Sequence, residues 1–230
     1  MLEARAIAEE LMDADDLDPA IYDAVLTDLA KVNTLTMARW PSLQFLARIA
    51  LANPDRPLKI LDVGFGDGDM LRAIHRWGQS RNVALVLVGI DLNPKSASVA
   101  RVATPTDMAI DFLTGDYAAL AGEGFDVILS SIVAHHMTHT QLIAFLRFMH
   151  AEARMGWLVN DLHRHGFAYY GFPLLAMIMR WHPIVKHDGQ LSIARSYRPA
   201  EWPPILAEAG ISNARIFRAF PFRLCVEAIR

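Results

Sequence analysis

Apolar residues change their spacing near Arg56. Before that point they recur at helical intervals. Ile21, Ala24, Val25, Leu29 and Val32 share one helical face. Asp18-Pro19 just ahead of them is a start signal, since Asp caps free amides and Pro is preset for a first turn. A second helix is expected after Pro41, through Leu43, Phe45, Leu46, Ile49 and Leu51. Beyond Arg56 short apolar runs alternate with helical stretches. Strands are expected over 58–63, 83–90, 109–113, 125–130 and 156–160. Helices are expected over 70–77, from Asn93-Pro94 through Arg101, and from Thr138 through His150, where Thr138 and Gln141 form a capping box. The run over 83–90 is continuous, the pattern of a strand buried on both faces. Near the end, a helix over 203–209 stops at Gly210. Segments 214–219 and 222–228 then flank a tight turn at Pro221, reading as an antiparallel pair that closes a sheet edge.

Strand–helix alternation predicts an α/β, doubly wound, mostly parallel sheet with helices on both faces. The expected domains are an N-terminal helical cap over 1–55 and a main domain over 56–230, with a cap or lid insertion around 163–198. Inside that insertion lies an uncharged run over 166–179, GFAYYGFPLLAMIM. It is shorter than the ~20 residues of a spanning helix, Pro173 interrupts it, and Arg164 and Arg180 bracket it. It reads as a buried or cap helix, with a position on a membrane surface as the alternative and no stable insertion expected.

Composition narrows the class. The chain has 230 residues, 53% hydrophobic and 20% charged, which excludes wholesale disorder and fits one domain with a small appendage. A formal net charge of -3 weakens any nucleic-acid role based on bulk electrostatics. The single cysteine, Cys225, excludes an internal disulfide and a four-cysteine zinc site. The start lacks a basic segment followed by an apolar core, so a cytoplasmic location is expected. Residues 1–30 carry nine acids (Glu3, Glu9, Glu10, Asp13, Asp15, Asp16, Asp18, Asp23 and Asp28) against Arg5 alone. A solvated helix face is expected there, rather than an acidic partner site.

The most informative string runs Asp62-Val63-Gly64-Phe65-Gly66-Asp67-Gly68-Asp69, between a strand and a helix. Its spacing is G-x-G-x-G. A dinucleotide fingerprint needs a third glycine where this chain has Asp69. Asp67 and Asp69 would also repel a pyrophosphate at the helix N-terminus, which disfavours a nicotinamide oxidoreductase. A cationic ligand is favoured, with Asp62 and Asp67 facing a sulfonium and an amino group. Asp91 ends the second strand and is placed to accept from ribose hydroxyls. Asp116, after the third, is placed to accept from an adenine amine, with Leu92 or Tyr117 flanking the ring.

These residues together resemble the class I S-adenosylmethionine-dependent methyltransferases of the small-molecule kind. Asp62 to Gly68 matches that family's first motif, Asp91 its ribose-binding acid and Asp116 its adenine-side acid. The resemblance covers about residues 56–160 well. It implies a Rossmann-like, seven-stranded sheet with the last strand antiparallel, S-adenosylmethionine as cofactor and S-adenosylhomocysteine as product. The cofactor residues it implies are Asp62, Gly64, Gly66, Gly68, Asp91, Leu92, Asp116, Tyr117 and Ser131. Asn33, Arg39 and Trp40 of the cap would close over them. One departure is Glu152-Ala153-Arg154-Met155-Gly156, where many relatives carry Lys-Pro-Gly-Gly.

The resemblance also places the ends of the fourth and fifth strands against the methyl group. His135, Asn160, Tyr169, Tyr170 and Phe172 are the expected acceptor contacts, an aromatic wall suited to a flat or greasy molecule. His136 and His163 are the candidate bases, with Asp161 orienting one of them, because histidine titrates in the useful range. A metal held by the histidines matches no known ligand spacing, so none is expected. The expected activity is methyl transfer to a hydrophobic small molecule, foremost O-methylation of a phenolic or polyketide-like acceptor in secondary metabolism. C-methylation of a quinol ring and a non-catalytic S-adenosylmethionine-binding protein are the alternatives. No nucleic-acid partner is expected, and a homodimer is left open.

Overall fold

The structure is a computed structural model that describes residues 2–14, 17–53 and 56–230. Seven strands form one sheet in the order β3-β2-β1-β4-β5-β7-β6. They are β1 (Leu58–Val63), β2 (Leu85–Asp91), β3 (Ile110–Thr114), β4 (Val127–Ser131), β5 (Gly156–Leu162), β6 (Arg215–Ala219) and β7 (Arg223–Ile229). All run parallel except β7, which enters antiparallel between β5 and β6. The C-terminal hairpin therefore puts its second strand inside the sheet and leaves β6 as the edge. Each expected strand is present with ends shifted by one or two residues.

Eight α-helices occur among the described residues: α1 (Pro19–Leu35), α2 (Trp40–Ala52), α3 (Asp69–Arg81), α4 (Pro94–Ala103), α5 (His139–Glu152), α6 (Gly166–Ile178), α7 (Pro183–Arg195) and α8 (Trp202–Ala209). Their starts follow local chemistry. The Asp18 carboxylate accepts from the amides of Ala20 and Ile21 ahead of α1, and Thr138 and Gln141 close a reciprocal capping box on α5. One sheet face carries Leu61, Val63, Ile128 and Val159 against α5 and α8. The other carries Ile60, Leu87, Leu129 and Leu158 against α2 and α3. Sandwiching a parallel sheet in this way leaves its carboxyl edge as the open surface.

The N-terminal region departs from the expectation of helices throughout. The described residues of 2–18 contain only a short 3-10 turn at Leu11–Asp13. Asp15 and Asp16 of the acidic run, and Asp55 at the expected domain boundary, lie outside the described residues. Glu10 is buried, and Asp28 accepts from the backbone amide of His182, so neither belongs to a solvated face. Arg5 donates to the carbonyls of Arg195 and His135, and Asp188 accepts from the amides of Leu11 and Met12. This segment is a strap across α7. Helix α2 covers the sheet itself through Phe45, Leu46 and Ile49. Helix α1 instead packs Val25 and Val32 against Ala176, Trp181 and Val185 of the 163–198 insertion.

The insertion folds as the helical pair α6 and α7. Only Ala168 and Ala176 of α6 are buried, so this helix is a cap element rather than a core one. Phe167, Tyr170, Leu174, Met177 and Ile178 are exposed. No helix among the described residues is long and apolar enough to cross a membrane. The role of α2 as a sheet-covering helix is testable. Phe45 is fully buried, so Phe45→Ala should cost the whole domain about 3–5 kcal/mol in thermal or denaturant unfolding. A transition that kept the main domain's midpoint would separate α2 from it.

Candidate active site

At the carboxyl edge, the turn after β1 is built from glycines. Gly64, Gly66 and Gly68 have φ of +77°, +56° and +78°. At Gly64 an added Cβ would lie 2.4 Å from Val133, and at Gly68 2.8 Å from Phe112, so packing as well as φ demands glycine there. Gly66 differs: nothing lies within 4 Å of its missing Cβ. One oxygen of Asp91 accepts from the Gly66 amide at 2.9 Å, and the other from the Asn93 amide at 2.8 Å. The end of β2 thus sets the shape of the glycine turn.

The other acids are placed differently. Asp62 is buried, and its Oδ1 has no hydrogen-bond partner among the described residues. Burial, reinforced by Asp69 and Asp91, holds its carboxyl well above the usual carboxylate range. Asp69 is also pushed up, by burial and by Asp67, although Arg39 Nε lies 3.2 Å away and Asn33 Nδ2 donates at 3.4 Å. Two of the three cap residues expected near the site, Asn33 and Arg39, therefore contact Asp69 where the glycine turn meets α3. Trp40 is half exposed beside them. Asp67, expected to face a ligand, is paired with Arg72 at 2.9 Å. Asp116 caps a short turn through the Ala118 amide. The Tyr117 ring stands 5.0 Å from that of Phe145 and 4.9 Å from that of Phe148, while Leu92 is exposed. Ser131 ends β4 beside Asn160 of β5.

The cavity that opens beside this edge has a volume of about 330 Å³. Its wall includes Asn33 from α1, Ile132 after β4, Leu162 at the end of β5, Phe172 from α6 and Phe222 from the final hairpin. Of the expected aromatic contacts Phe172 lines it, joined by Phe167; Tyr169 and Tyr170 do not. Asn160 is fully buried and donates to the Ala38 carbonyl at 2.8 Å, so it anchors the α1–α2 turn to the sheet. Ile132 has φ of +60°, a costly conformation for a β-branched residue, and its amide is held by the Asn160 carbonyl at 2.9 Å.

The histidines divide into two groups. Asp161 orients His135, not His136 or His163. Its Oδ1 lies 2.7 Å from His135 Nδ1, and its Oδ2 accepts from the His135 amide at 2.8 Å. Burial alone would lower the His135 pKa. Asp161 and then Glu10 outweigh it and raise the value to about 9, making this side chain an imidazolium at neutral pH. His136, whose ring lies 4.2 Å away and tilted by 38°, is pushed down to about 4 by burial and by that neighbouring charge. Glu10 Oε1 lies 3.7 Å from His135 Nε2, 3.8 Å from His136 Nε2 and 3.6 Å from Arg195, and accepts from Ser192 Oγ at 2.6 Å. Glu10, His135 and His136 are the one set of potential metal ligands that converges among the described residues, within 4.8 Å. Arg195 and the His135 imidazolium already balance the carboxylates there. His163 lines a separate cavity of about 250 Å³ with His165 and Arg218, and burial, followed by those two neighbours, lowers it to about 4.

Residues 60–156 match the family model described as a methyltransferase domain. Over that central segment the chain is similar to methyltransferases. Over 140 residues it is 32% identical to the ubiquinone biosynthesis O-methyltransferase of Bartonella quintana (strain Toulouse), covering 59% of this chain and 54% of that protein. Over 174 residues it is 29% identical to the enzyme of the same name from Ruegeria pomeroyi (strain ATCC 700808 / DSM 15171 / DSS-3), covering 73% and 65%. The chain thus spans about half to two thirds of these relatives. The methyltransferase fold extends further than the matched segment. The plantazolicin methyltransferase BpumL, solved with S-adenosylhomocysteine (SAH), aligns at a TM-score of 0.67 and 16% identity, covering 93% of this chain and 91% of that one. Magnesium protoporphyrin IX methyltransferase from Synechocystis PCC 6803 aligns at 0.54 and 16%, covering 95% and 91%.

Sequence reasoning missed Glu10, Ile132 and the reach of Asn33 and Arg39 to Asp69 specifically. These depend on chain segments distant in sequence, and only an isolated charge in an otherwise apolar stretch would have flagged any of them. The Asp62 environment gives a testable sign. Its raised pKa means that the folded state is penalised as pH rises through that value. Asp62→Asn should therefore raise the melting temperature at pH 8, and the gain should shrink as the pH falls toward 4 and the wild-type carboxyl protonates. A uniform loss of stability at both pH values would contradict this.

Proposed function

We propose that the chain transfers the methyl group of S-adenosylmethionine to a hydrophobic small molecule, as an O-methylation of a phenolic or polyketide-like acceptor. One observation carries the proposal. A buried acid with an orphaned oxygen, Asp62, stands beside an open glycine turn, and the turn's edge continues into an apolar cavity through Asn33 and Ile132. A cation bound there relieves the mutual repulsion of Asp62, Asp69 and Asp91, so these residues fit a ligand bearing sulfonium and ammonium groups. The names of the relatives, all O-methyltransferases of ubiquinone biosynthesis, support oxygen as the methylated atom.

In this reading Asp62 and the Gly64–Gly68 turn hold the amino acid end of the cofactor, Asp91 the ribose, and Asp116 and Leu92 the adenine. Bound S-adenosylmethionine supplies an activated methyl group on a good leaving group. The protein then needs chiefly to position an acceptor oxygen and accept its proton. His136 is the assigned base. It is neutral at physiological pH, and Ser192 of the cavity wall reaches it through Glu10. His135, as an imidazolium, cannot take a proton. The Asp161–His135 pair positions His136 instead. We further propose a cytoplasmic setting, in keeping with the buried free thiol of Cys225.

The test uses methyl-labelled S-adenosylmethionine with alkylphenols, hydroxybenzoates and quinols. Wild-type protein should form organic-extractable, acid-stable ether. Asp91→Ala should weaken S-adenosylhomocysteine binding at least tenfold by calorimetry. His136→Ala should lower kcat by about 10²-fold or more, while His163→Ala leaves it within a few fold. Near-wild-type binding in Asp91→Ala would overturn the cofactor assignment. Label on carbon instead of oxygen would move the reaction to C-methylation.

A further inference from the structure

Three arginines are buried among the described residues: Arg72, Arg164 and Arg223. Two of them have a carboxylate partner. Arg72 pairs with Asp67 and Arg164 with Glu201. Arg223 is 2% exposed, its Nη1 is shielded from solvent with no hydrogen-bond partner, and no ion pair joins it among the described residues. It opens β7 opposite Leu162, on the sheet's carboxyl edge. It also lies in the walls of both the 330 Å³ apolar cavity and the smaller cavity beside His163. Neither wall contains an Asp or Glu. Asp161 and Asp69 act on Arg223 only through space.

A guanidinium taken out of water without a partner strongly destabilises a fold. Its place here makes sense if a ligand completes it. The cavity walls it shares include Leu162, Pro221 and Phe222, the neutral polar Asn33, Thr36 and Ser192, and on the smaller cavity's side His163, His165 and Arg218; none of them is an anionic partner. We propose that Arg223 recognises an anionic oxygen on the methyl acceptor, so that the acceptor is an apolar molecule carrying one acidic group. This rests on reading the apolar cavity as the acceptor site. A carboxylate matches the planar two-pronged donor of the guanidinium best. An ionised phenol shares the same chemistry. In either case Arg223 supplies specificity by leaving its charge buried and unpaired whenever a neutral analogue occupies the cavity.

The experiment measures calorimetric affinity, with S-adenosylhomocysteine bound, for a 3-alkyl-4-hydroxybenzoate, its methyl ester and its 4-methoxy ether acid. Wild type, Arg223→Met and Arg223→Lys are compared. A carboxylate partner predicts that wild type binds both acids at least tenfold more tightly than the ester. A phenolate partner predicts that the hydroxybenzoate and the ester bind tightly above the phenol pKa while the ether acid does not. Either preference should vanish in Arg223→Met and survive in part in Arg223→Lys. Both variants should bind S-adenosylhomocysteine as wild type does, and Arg223→Met should melt no lower than wild type. The proposal is overturned by Arg223→Met keeping the wild-type affinities and preference, by wild type binding none of the three, by lost cofactor affinity, or by a large fall in melting temperature. Arg223-dependent binding without any label transfer by wild type would instead overturn the methyl-transfer reading and leave the anion site standing.

Discussion

The contact between His135 and Asp161 ties the ends of β4 and β5 together, and the surrounding edge is built on it. One carboxylate takes both the ring and the backbone amide of the same residue. That fixes the loop after β4. From there the N-terminal strap is anchored through Arg5 to the His135 carbonyl, and Glu10 comes to rest against both imidazoles. The pair is wholly buried, so its charges are strong in their effect on neighbours. Burial first, and then the charge of His135, keep His136 neutral. The ion pair thus fixes the position of the groups around it and adds to the effect of burial on their protonation.

The opposite face of the same edge works by a different economy. Asp62, Asp69 and Asp91 crowd negative charge around the glycine turn, and only Asp69 has a cation of the cap near it. Arg223, a few strands away, holds positive charge with no partner. Both arrangements are electrostatically unfavourable on their own. In the reading proposed above they serve two occupants of different character, one cationic beside β1 and β2 and one with an acidic group beside β5 and β7. Helix α1 spans both through Asn33, which bonds Asp69 and also lines the apolar cavity.

Most of the sheet was legible in the sequence because buried strands are short apolar runs, continuous at 83–90 and broken only by Lys59 and Asp62 at 58–63. The capping box at Thr138 and the Gly210 stop were legible because they are local. The acids at the strand ends were legible because they break apolar runs at fixed places. Long-range pairing was not. Nothing near Asp161 in sequence distinguishes His135 from His136 or His163 as its partner. Glu10 looked like one more acid in an acidic segment, and α2 looked like part of the cap because its apolar face fits either surface. The 166–179 run was only half legible for a related reason. Hydrophobicity left burial and a cap position both open, and in the structure it is a cap helix packed with α1 and α7, with most of its large side chains facing outward.

Asp91 has a consequence for how variation at this edge is tolerated. The same two oxygens that would serve a ligand already define the backbone of the glycine turn and the start of α4. Lengthening that side chain by one methylene, to glutamate, keeps the charge but cannot keep both backbone contacts at 2.8–2.9 Å. Shape and affinity are therefore inseparable at this position. No substitution can trade one for the other, and a drifting chain that lost Asp91 would lose the turn's geometry in the same step.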